Sequence, residues 1–134
     1  GQIVGMVGAG IMSVTKKIFV IDDHGMARSL LEGILASAGY QVIALESAAE
    51  GLSQAKRGAP DLIIIDMNMP EMTGWEATRT FRGMSETAAT AILGVSAHST
   101  SADRDAAHEA GCNAYISKPL DPARLLQAVA ELLA

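Results

Sequence analysis

Cysteine is almost absent from this sequence, and long apolar runs are missing. The single cysteine, Cys112, rules out a disulfide within the chain and fits a reducing compartment. No apolar segment reaches the roughly 18 residues that a membrane-spanning helix needs. We therefore expect a cytoplasmic protein that has no membrane partner.

Clusters of positive charge are missing as well. The chain has 10 Lys and Arg against 15 Asp and Glu, and its basic runs stop at two residues, as at Lys16 and Lys17. A face that binds nucleic acid needs basic side chains to neutralise phosphates. The formal net charge of -5 therefore argues against nucleic acid as the main partner.

What the sequence does have is the composition of an ordinary globular domain. Hydrophobic residues make up 49% and charged residues 19% of the 134 positions, which separates the chain from disordered sequences. This length fits one domain, and it is sufficient to bury a core without disulfides or a structural metal.

Residues 1–15 form an apolar leader that is rich in glycine and carries no charge. A secretory signal would begin with basic residues, and none is present. The glycines up to Gly10 look like the start of a dinucleotide-binding fingerprint, but Ser13 replaces its third glycine and a strand follows instead of a helix. We interpret the leader as a tail or an expression remnant, with Met12 as a native start, and place the domain at residues 16–134.

Short apolar runs alternate with segments of helical periodicity over the rest of the chain. The runs predict five buried strands, near 17–21, 41–45, 62–65, 91–95 and 113–117. Apolar residues at helical spacing, capping signals such as Ser47 with Glu50, and closing glycines predict five helices. We expect these helices near 25–38, 47–58, 73–83 and 101–110 and from Asp121 onward. The alternation predicts an α/β fold of the doubly wound (βα)5 type, with one parallel sheet between two layers of helices.

Polar side chains stand at the carboxyl ends of four of these strands. Asp22 and Asp23 follow the first strand, Asp66 the third, Ser96 the fourth and Lys118 the fifth. In a parallel sheet these ends share one edge, so residues that are distant in sequence meet in one crevice. Any one of them alone could simply end a strand, but together they predict a site.

The predicted site combines carboxylates with a lysine and a hydroxyl. Three carboxylates held close together repel one another unless a cation lies among them, and oxygen ligands favour Mg²⁺. Such a site suits phosphoryl transfer, in which a carboxylate can itself be the nucleophile. Asp66 would attack, Asp22 and Asp23 would hold the metal, and Lys118 and Ser96 would bind phosphoryl oxygens.

Four motifs of the chain resemble the signature of the CheY-like receiver domains of two-component response regulators: Asp22-Asp23, Asp66-Met-Asn-Met-Pro-Glu-Met-Thr-Gly74, Ser96-Ala97 and Lys118-Pro119. The resemblance covers residues 16–134. It implies a flavodoxin-like, CheY-like sheet with strand order 2-1-3-4-5. It also implies that Asp66 accepts a phosphoryl group from a histidine kinase or a histidine phosphotransfer protein.

The resemblance assigns roles to further residues. Asp23 would bind Mg²⁺ directly and Asp22 through water, while Asp66 and the backbone carbonyl of Asn68 would complete the metal site. The backbone amides of Met67 and Ala97 would meet the phosphoryl group. The peptide bond before Pro119 could be cis, as in rigid turns at functional sites, and His24 is expected to be solvated beside the acids.

Ser96 and Tyr115 match the switch pair of the family. Their movement would change the face formed by helix 4, strand 5 and helix 5, which would bind an unnamed downstream protein or support a phosphorylation-dependent homodimer. Two departures from the family pattern, Thr73 in place of an acid and Ser96 in place of threonine, remove no reacting group. Asn68 and His98 occupy the positions that tune autodephosphorylation, so the lifetime of the phosphoryl group stays open.

Two other functions stay open beside the receiver. The first is a binding module of the same fold that works without phosphorylation, which the intact acid cluster disfavours. The second is a metal-dependent phosphohydrolase, for which the sequence offers no substrate pocket or cap insertion. A receiver would catalyse its own phosphorylation and dephosphorylation without being a conventional turnover enzyme.

Overall fold

The computed structural model describes residues 15–134, so the predicted leader and Met12 lie outside the described residues, apart from Thr15. Strands and helices alternate along this part of the chain: β1 Lys17–Ile21, α1 Gly25–Ser37, β2 Gln41–Leu45, α2 Ala48–Arg57, β3 Leu62–Asp66, α3 Gly74–Gly83, β4 Ala91–Ser96, α4 Ser101–Ala110, β5 Ala114–Ser117 and α5 Pro122–Leu133. Within residues 15–134, no helix is long and apolar enough to span a membrane.

All five strands pair in parallel in the order β2-β1-β3-β4-β5. This confirms the predicted doubly wound α/β fold and its strand order. Strand β3 is the central strand, where Ile64 lies beside Val20 of β1 and Leu93 of β4. Every residue of β3 is buried, because helices cover both faces of the sheet at this position, and this explains its uniformly apolar sequence.

The core consists of two layers that are separated by the sheet. On one face, Ile63 and Ile65 of β3 belong to a cluster that includes Phe81 of α3, together with apolar residues of α2 and α4. On the other face, Leu62 and Ile64 pack in a cluster with residues of α1 and α5. Alternate side chains of a strand point to opposite faces, so β3 alone contributes to both layers.

Side chains cap the first turns of α2 and α3. Thr73 and Glu76 form a complete capping box at α3, in which the Thr73 side chain accepts from the Glu76 amide and the Glu76 carboxylate accepts from the Thr73 amide. At α2 the box is only half formed. Ser47 accepts from the amide of Glu50 at 3.2 Å, but the Glu50 carboxylate accepts from the amide of Glu46 instead.

Several predicted element ends shift by one residue, among them the start of β5 and the end of α1. Strand β5 begins at Ala114, and the preceding residue, Asn113, contacts β4 through its side chain, whose oxygen accepts from the amide of Ile92 at 2.8 Å. Helix α1 ends at Ser37. The next residue, Ala38, donates its amide to the Leu35 carbonyl three residues back, which tightens the last turn.

Candidate functional site

The carboxyl edge of the sheet brings the predicted acidic residues together. Ile21 of β1 is paired with Ile65 of β3, so Asp22 and Asp66, which come next, lie side by side. Both are buried, with 1% and 4% of their surface exposed, whereas Asp23 is exposed at the rim. One ligand atom from each of these three residues and from His24 lies within 4.8 Å of all the others.

Lys118 supplies positive charge to this cluster. Its Nζ lies 3.8 Å from Oδ2 of Asp22 and 3.8 Å from Oδ2 of Asp66, and 28% of its side chain is exposed. The backbone of Lys118 is fixed by a 2.8 Å hydrogen bond from its amide to the carbonyl of Ser96 at the end of β4. The bond between Lys118 and Pro119 is cis, which agrees with the expectation from the sequence.

The carboxyl group of Asp66 has a pKa above its ordinary value. Burial is the main cause, and the negative charges of Asp22 and Asp23 raise the pKa further. Two groups oppose this shift, namely the Asn68 amide, which donates to Asp66 Oδ1 at 3.1 Å, and the Lys118 ammonium. A further cation near Asp66 would therefore stabilise the charged form of its carboxyl group.

The donor set of the cluster fits Mg²⁺. Buried carboxylate oxygens from two strands, with a third at the rim, are hard ligands that leave room for water, as this ion prefers. His24 lies beside them, with Nδ1 at 3.3 Å from Asp23 Oδ1, but its side chain is 69% exposed. The exposed imidazole agrees with the expectation that His24 is solvated beside the acids.

Ser96 lies at the end of β4 and is fully buried. Its hydroxyl donates to the side-chain oxygen of Asn68 at 2.6 Å and accepts from the backbone amide of His98 at 3.0 Å. The carbonyl of His98 in turn accepts from the hydroxyl of Tyr115 at 2.6 Å. The two residues of the predicted switch pair are thus connected through the backbone of His98, a link that the sequence did not reveal.

The backbone amides near Asp66 differ in what they contact. The amide of Met67 donates to the carbonyl of Val95 at 2.9 Å and continues the pairing of β3 with β4, whereas the amide of Asn68 reaches the Asp66 carboxylate. Ala97, which follows Ser96, is exposed. The roles of the Met67 and Ala97 amides stay predictions, and the Asn68 amide is the one that the structure places at the carboxylate.

Gly74 holds the loop after β3 against the end of the strand. Its amide donates to the Met67 carbonyl at 3.1 Å. A Cβ atom at this position would lie 2.6 Å from Met67 Cα and 2.9 Å from the Asp66 carbonyl oxygen. Only glycine permits this approach without a shift of the backbone beside Asp66.

Arg28 is a neighbour of the site that no sequence motif indicated. Its guanidinium Nη1 donates to the backbone carbonyl of Asp22 at 2.8 Å from the first turns of α1. A lone arginine on a predicted helix carries no signal that distinguishes such a contact from ordinary exposure to solvent.

The sheet order and the acidic pocket at its carboxyl edge define the class of CheY-like α/β domains. The chain belongs to the response regulator receiver domain family, whose model matches residues 18–130. The resemblance that was seen in the sequence motifs is thereby confirmed.

Individual relatives agree with this assignment. The polar-differentiation response regulator DivK of Brucella ovis is 29% identical over 120 residues, which cover 90% of this chain and 98% of DivK. The chemotaxis protein CheY4 of Vibrio cholerae has a TM-score of 0.86 and 29% identity, covering 90% of this chain and 100% of its own. The receiver domain of the sensor histidine kinase PA1611 from Pseudomonas aeruginosa PAO1 has a TM-score of 0.83 and 26% identity over 90% of this chain and 98% of its own, and holds a magnesium ion in its active site cleft.

Proposed function

We propose that the chain is a phosphoacceptor receiver of a two-component phosphorelay and that Asp66 takes up the phosphoryl group. The observation that carries this proposal is the position of the Asp66 carboxylate. It ends the central strand, lies with Asp22 and Asp23 in one cluster, and has the Lys118 ammonium at 3.8 Å. Membership of the receiver domain family supports the same role.

The donor in this proposal is a phosphohistidine of a histidine kinase or of a histidine phosphotransfer protein. A carboxylate oxygen of Asp66 attacks the phosphorus atom, the bond between phosphorus and the imidazole nitrogen breaks, and its electron pair stays on the imidazole. Lys118, and Ser96 after it turns to the site, would bind the oxygens of the transferred group.

Asp22, Asp23, Asp66 and the backbone carbonyl of Asn68 would hold Mg²⁺. When bound, the ion would neutralise negative charge on the carboxylates and on the transferred phosphoryl group. The magnesium ion in the cleft of the PA1611 receiver domain supports this assignment. Removal of the metal should therefore abolish phosphorylation while the fold persists.

The proposed output is a change of the face formed by α4, β5 and α5. Tyr115 of β5 is partly buried, and its ring lies beneath the guanidinium of Arg104 of α4, 5.7 Å from the ring centroid. Movement of Ser96 and Tyr115 would alter this face for a protein partner in the cytoplasm or for a second copy of the chain.

The first experiment is intact-mass spectrometry after incubation with acetyl phosphate and Mg²⁺. We expect one added phosphoryl group that disappears when EDTA replaces Mg²⁺ and in Asp66→Asn. Asp105→Asn, an exposed carboxylate of α4, is the matched control and should keep the adduct.

The two alternative functions give different results in the same experiment. Absence of an adduct together with absence of any response to beryllofluoride would indicate a binding module that works without phosphorylation. Sustained turnover of phosphate esters without a persistent adduct would indicate a phosphohydrolase.

A further inference from the structure

We infer that the side chain of Asn68 is a positioning residue that competes with the phosphoryl group for the hydroxyl of Ser96. Before phosphorylation, Asn68 accepts the only proton that this hydroxyl can donate. The inference rests on the proposed function, because it concerns how the phosphorylated state is reached and stabilised.

The hydrogen-bonding capacity of Ser96 carries the argument. A serine hydroxyl has a single O–H donor, and in the structure this donor is directed at Asn68 Oδ1, 2.6 Å away. The same oxygen accepts from the His98 amide at 3.0 Å. Ser96 is 0% exposed, so no bulk water reaches it to take over a lost bond. The hydroxyl can therefore donate to a phosphoryl oxygen only after it has released Asn68.

The position of Asn68 makes this competition direct. Its backbone amide donates to Asp66 Oδ1 at 3.1 Å, so the residue that engages Ser96 also contacts the carboxylate that would be phosphorylated. From Ser96, hydrogen bonds continue through the His98 backbone to the hydroxyl of Tyr115. The bond between Asn68 and Ser96 is the link in this series that a phosphoryl group on Asp66 would replace.

The expected strength of the competition follows from the burial of Ser96. In the unsubstituted chain, Asn68 is exposed and its side-chain oxygen can be solvated once Ser96 leaves, whereas without this acceptor the buried Ser96 hydroxyl loses its hydrogen-bond partner before a phosphoryl group is present. Removal of the Asn68 acceptor should therefore favour the phosphorylated arrangement by about fivefold, since that is the equilibrium effect of one such bond.

A double-mutant cycle with beryllofluoride as the phosphoryl mimic tests the inference. The four chains are the unsubstituted protein, Asn68→Leu, Ser96→Ala and the double variant, each titrated with beryllofluoride in the presence of Mg²⁺. Leucine has the same branched skeleton of four side-chain heavy atoms as asparagine but no acceptor. We expect Asn68→Leu to bind the mimic about fivefold more tightly than the unsubstituted chain does. The double variant should bind it with the same affinity as Ser96→Ala.

The outcomes separate this inference from the proposed function. Equal affinities for the unsubstituted chain and Asn68→Leu would overturn the inference alone. If Asn68→Leu raised the affinity for beryllofluoride equally with Ser96 present and with Ser96 replaced by alanine, the inference would also be overturned, because Asn68 would then act without Ser96. Failure of the unsubstituted chain to bind beryllofluoride would overturn the proposed function and the inference with it. Asn68→Ala provides a second truncation, and thermal unfolding of each variant confirms that the fold is retained.

Discussion

The ammonium group of Lys118 lies 3.8 Å from Asp66 Oδ2 and at the same distance from Asp22 Oδ2. This spacing is too long for a hydrogen bond and short enough for a strong electrostatic interaction. Lys118 therefore faces the point between the two buried carboxylates where the transferred phosphoryl group would carry its charge.

Replacement of Lys118 by methionine should slow phosphorylation without unfolding the protein. Methionine keeps an unbranched side chain of similar length but removes the charge that would stabilise the transition state. We expect the rate of adduct formation with acetyl phosphate to fall about 100-fold, the usual effect of losing one such group. Time-resolved intact-mass spectrometry measures this rate. Lys56→Met, on the exposed surface of α2, is the control, and an equal rate in both variants would contradict the role of Lys118.

Replacement of Asp66 by asparagine should stabilise the protein at neutral pH when metal is removed. The pKa of Asp66 is raised in the folded state, mainly by burial, so the folded protein binds this proton more tightly than the unfolded chain. Protonated Asp66 stabilises the fold at pH values below the pKa that this group has in the unfolded chain. This stabilisation is lost as the pH rises through the pKa that the group has in the folded protein. At neutral pH the carboxylate therefore destabilises the fold, and Asp66→Asn should raise the free energy of unfolding.

The pH dependence of this difference provides the control. Urea unfolding in EDTA should show that the advantage of Asp66→Asn shrinks as the pH falls toward about 4, the ordinary pKa of an aspartate. Addition of Mg²⁺ at neutral pH should also reduce the advantage, because the ion stabilises the native carboxylate cluster. A constant difference between the two proteins at all pH values would contradict a raised pKa at Asp66.

Substitution of Gly74 by alanine should destabilise the protein and disturb the site. The new Cβ would meet the backbone at Met67 Cα and at the Asp66 carbonyl, and backbone atoms cannot move aside as a flexible side chain can. We expect a loss of about 1–3 kcal/mol in urea unfolding, together with slower phosphorylation. Gly33→Ala within α1 is the matched control, since a Cβ there meets nothing within 4 Å. The free energy of unfolding of that variant should rise by about 0.5–1 kcal/mol. If both substitutions changed stability in the same direction, the close approach of Gly74 to the backbone of Asp66 and Met67 would be contradicted.

The sequence predicted the fold well because its strongest signals are local. The apolar run of β3 can be buried on both faces only at the centre of a sheet. The alternation of strands and helices permits few topologies. The meeting of Asp22, Asp66 and Lys118 was also predictable, because the carboxyl ends of parallel strands must share one edge.

Contacts that depend on the path of a loop could not be predicted in the same way. The hydrogen bond from Ser96, the last residue of β4, to Asn68, in the loop after β3, joins residues 28 positions apart, and no periodicity predicts the rotamer of either side chain. In the segment between α3 and β4, Thr87 is 0% exposed and donates to the Phe81 carbonyl at 2.6 Å, and no sequence pattern marks this threonine as buried. The backbone carbonyl of Thr87 accepts from Arg82, a residue that the sequence did not single out.

Arg82 connects the end of α3 with the turns before β4 and β5. Its Nη1 donates to the carbonyls of Thr87 and Thr90 at 3.1 and 2.6 Å, and its Nη2 donates to the Gly111 carbonyl at 2.8 Å. Burial lowers the pKa of this arginine below its ordinary value. Gly111 is a close neighbour, because a Cβ at that position would lie 2.7 Å from Arg82 Cγ.

Replacement of Arg82 by alanine should therefore cost about 2–3 kcal/mol of stability, because hydrogen bonds from a charged donor are lost and several carbonyls are left without their partner. Urea unfolding measures this loss. Arg79→Ala, an exposed position on the same helix, should change stability by less than about 0.5 kcal/mol. Arg82 does not contact the acidic cluster. The folded fraction of the Arg82→Ala variant should therefore accept a phosphoryl group from acetyl phosphate at the native rate. A similar, small effect of both arginine substitutions would contradict the connecting role of Arg82.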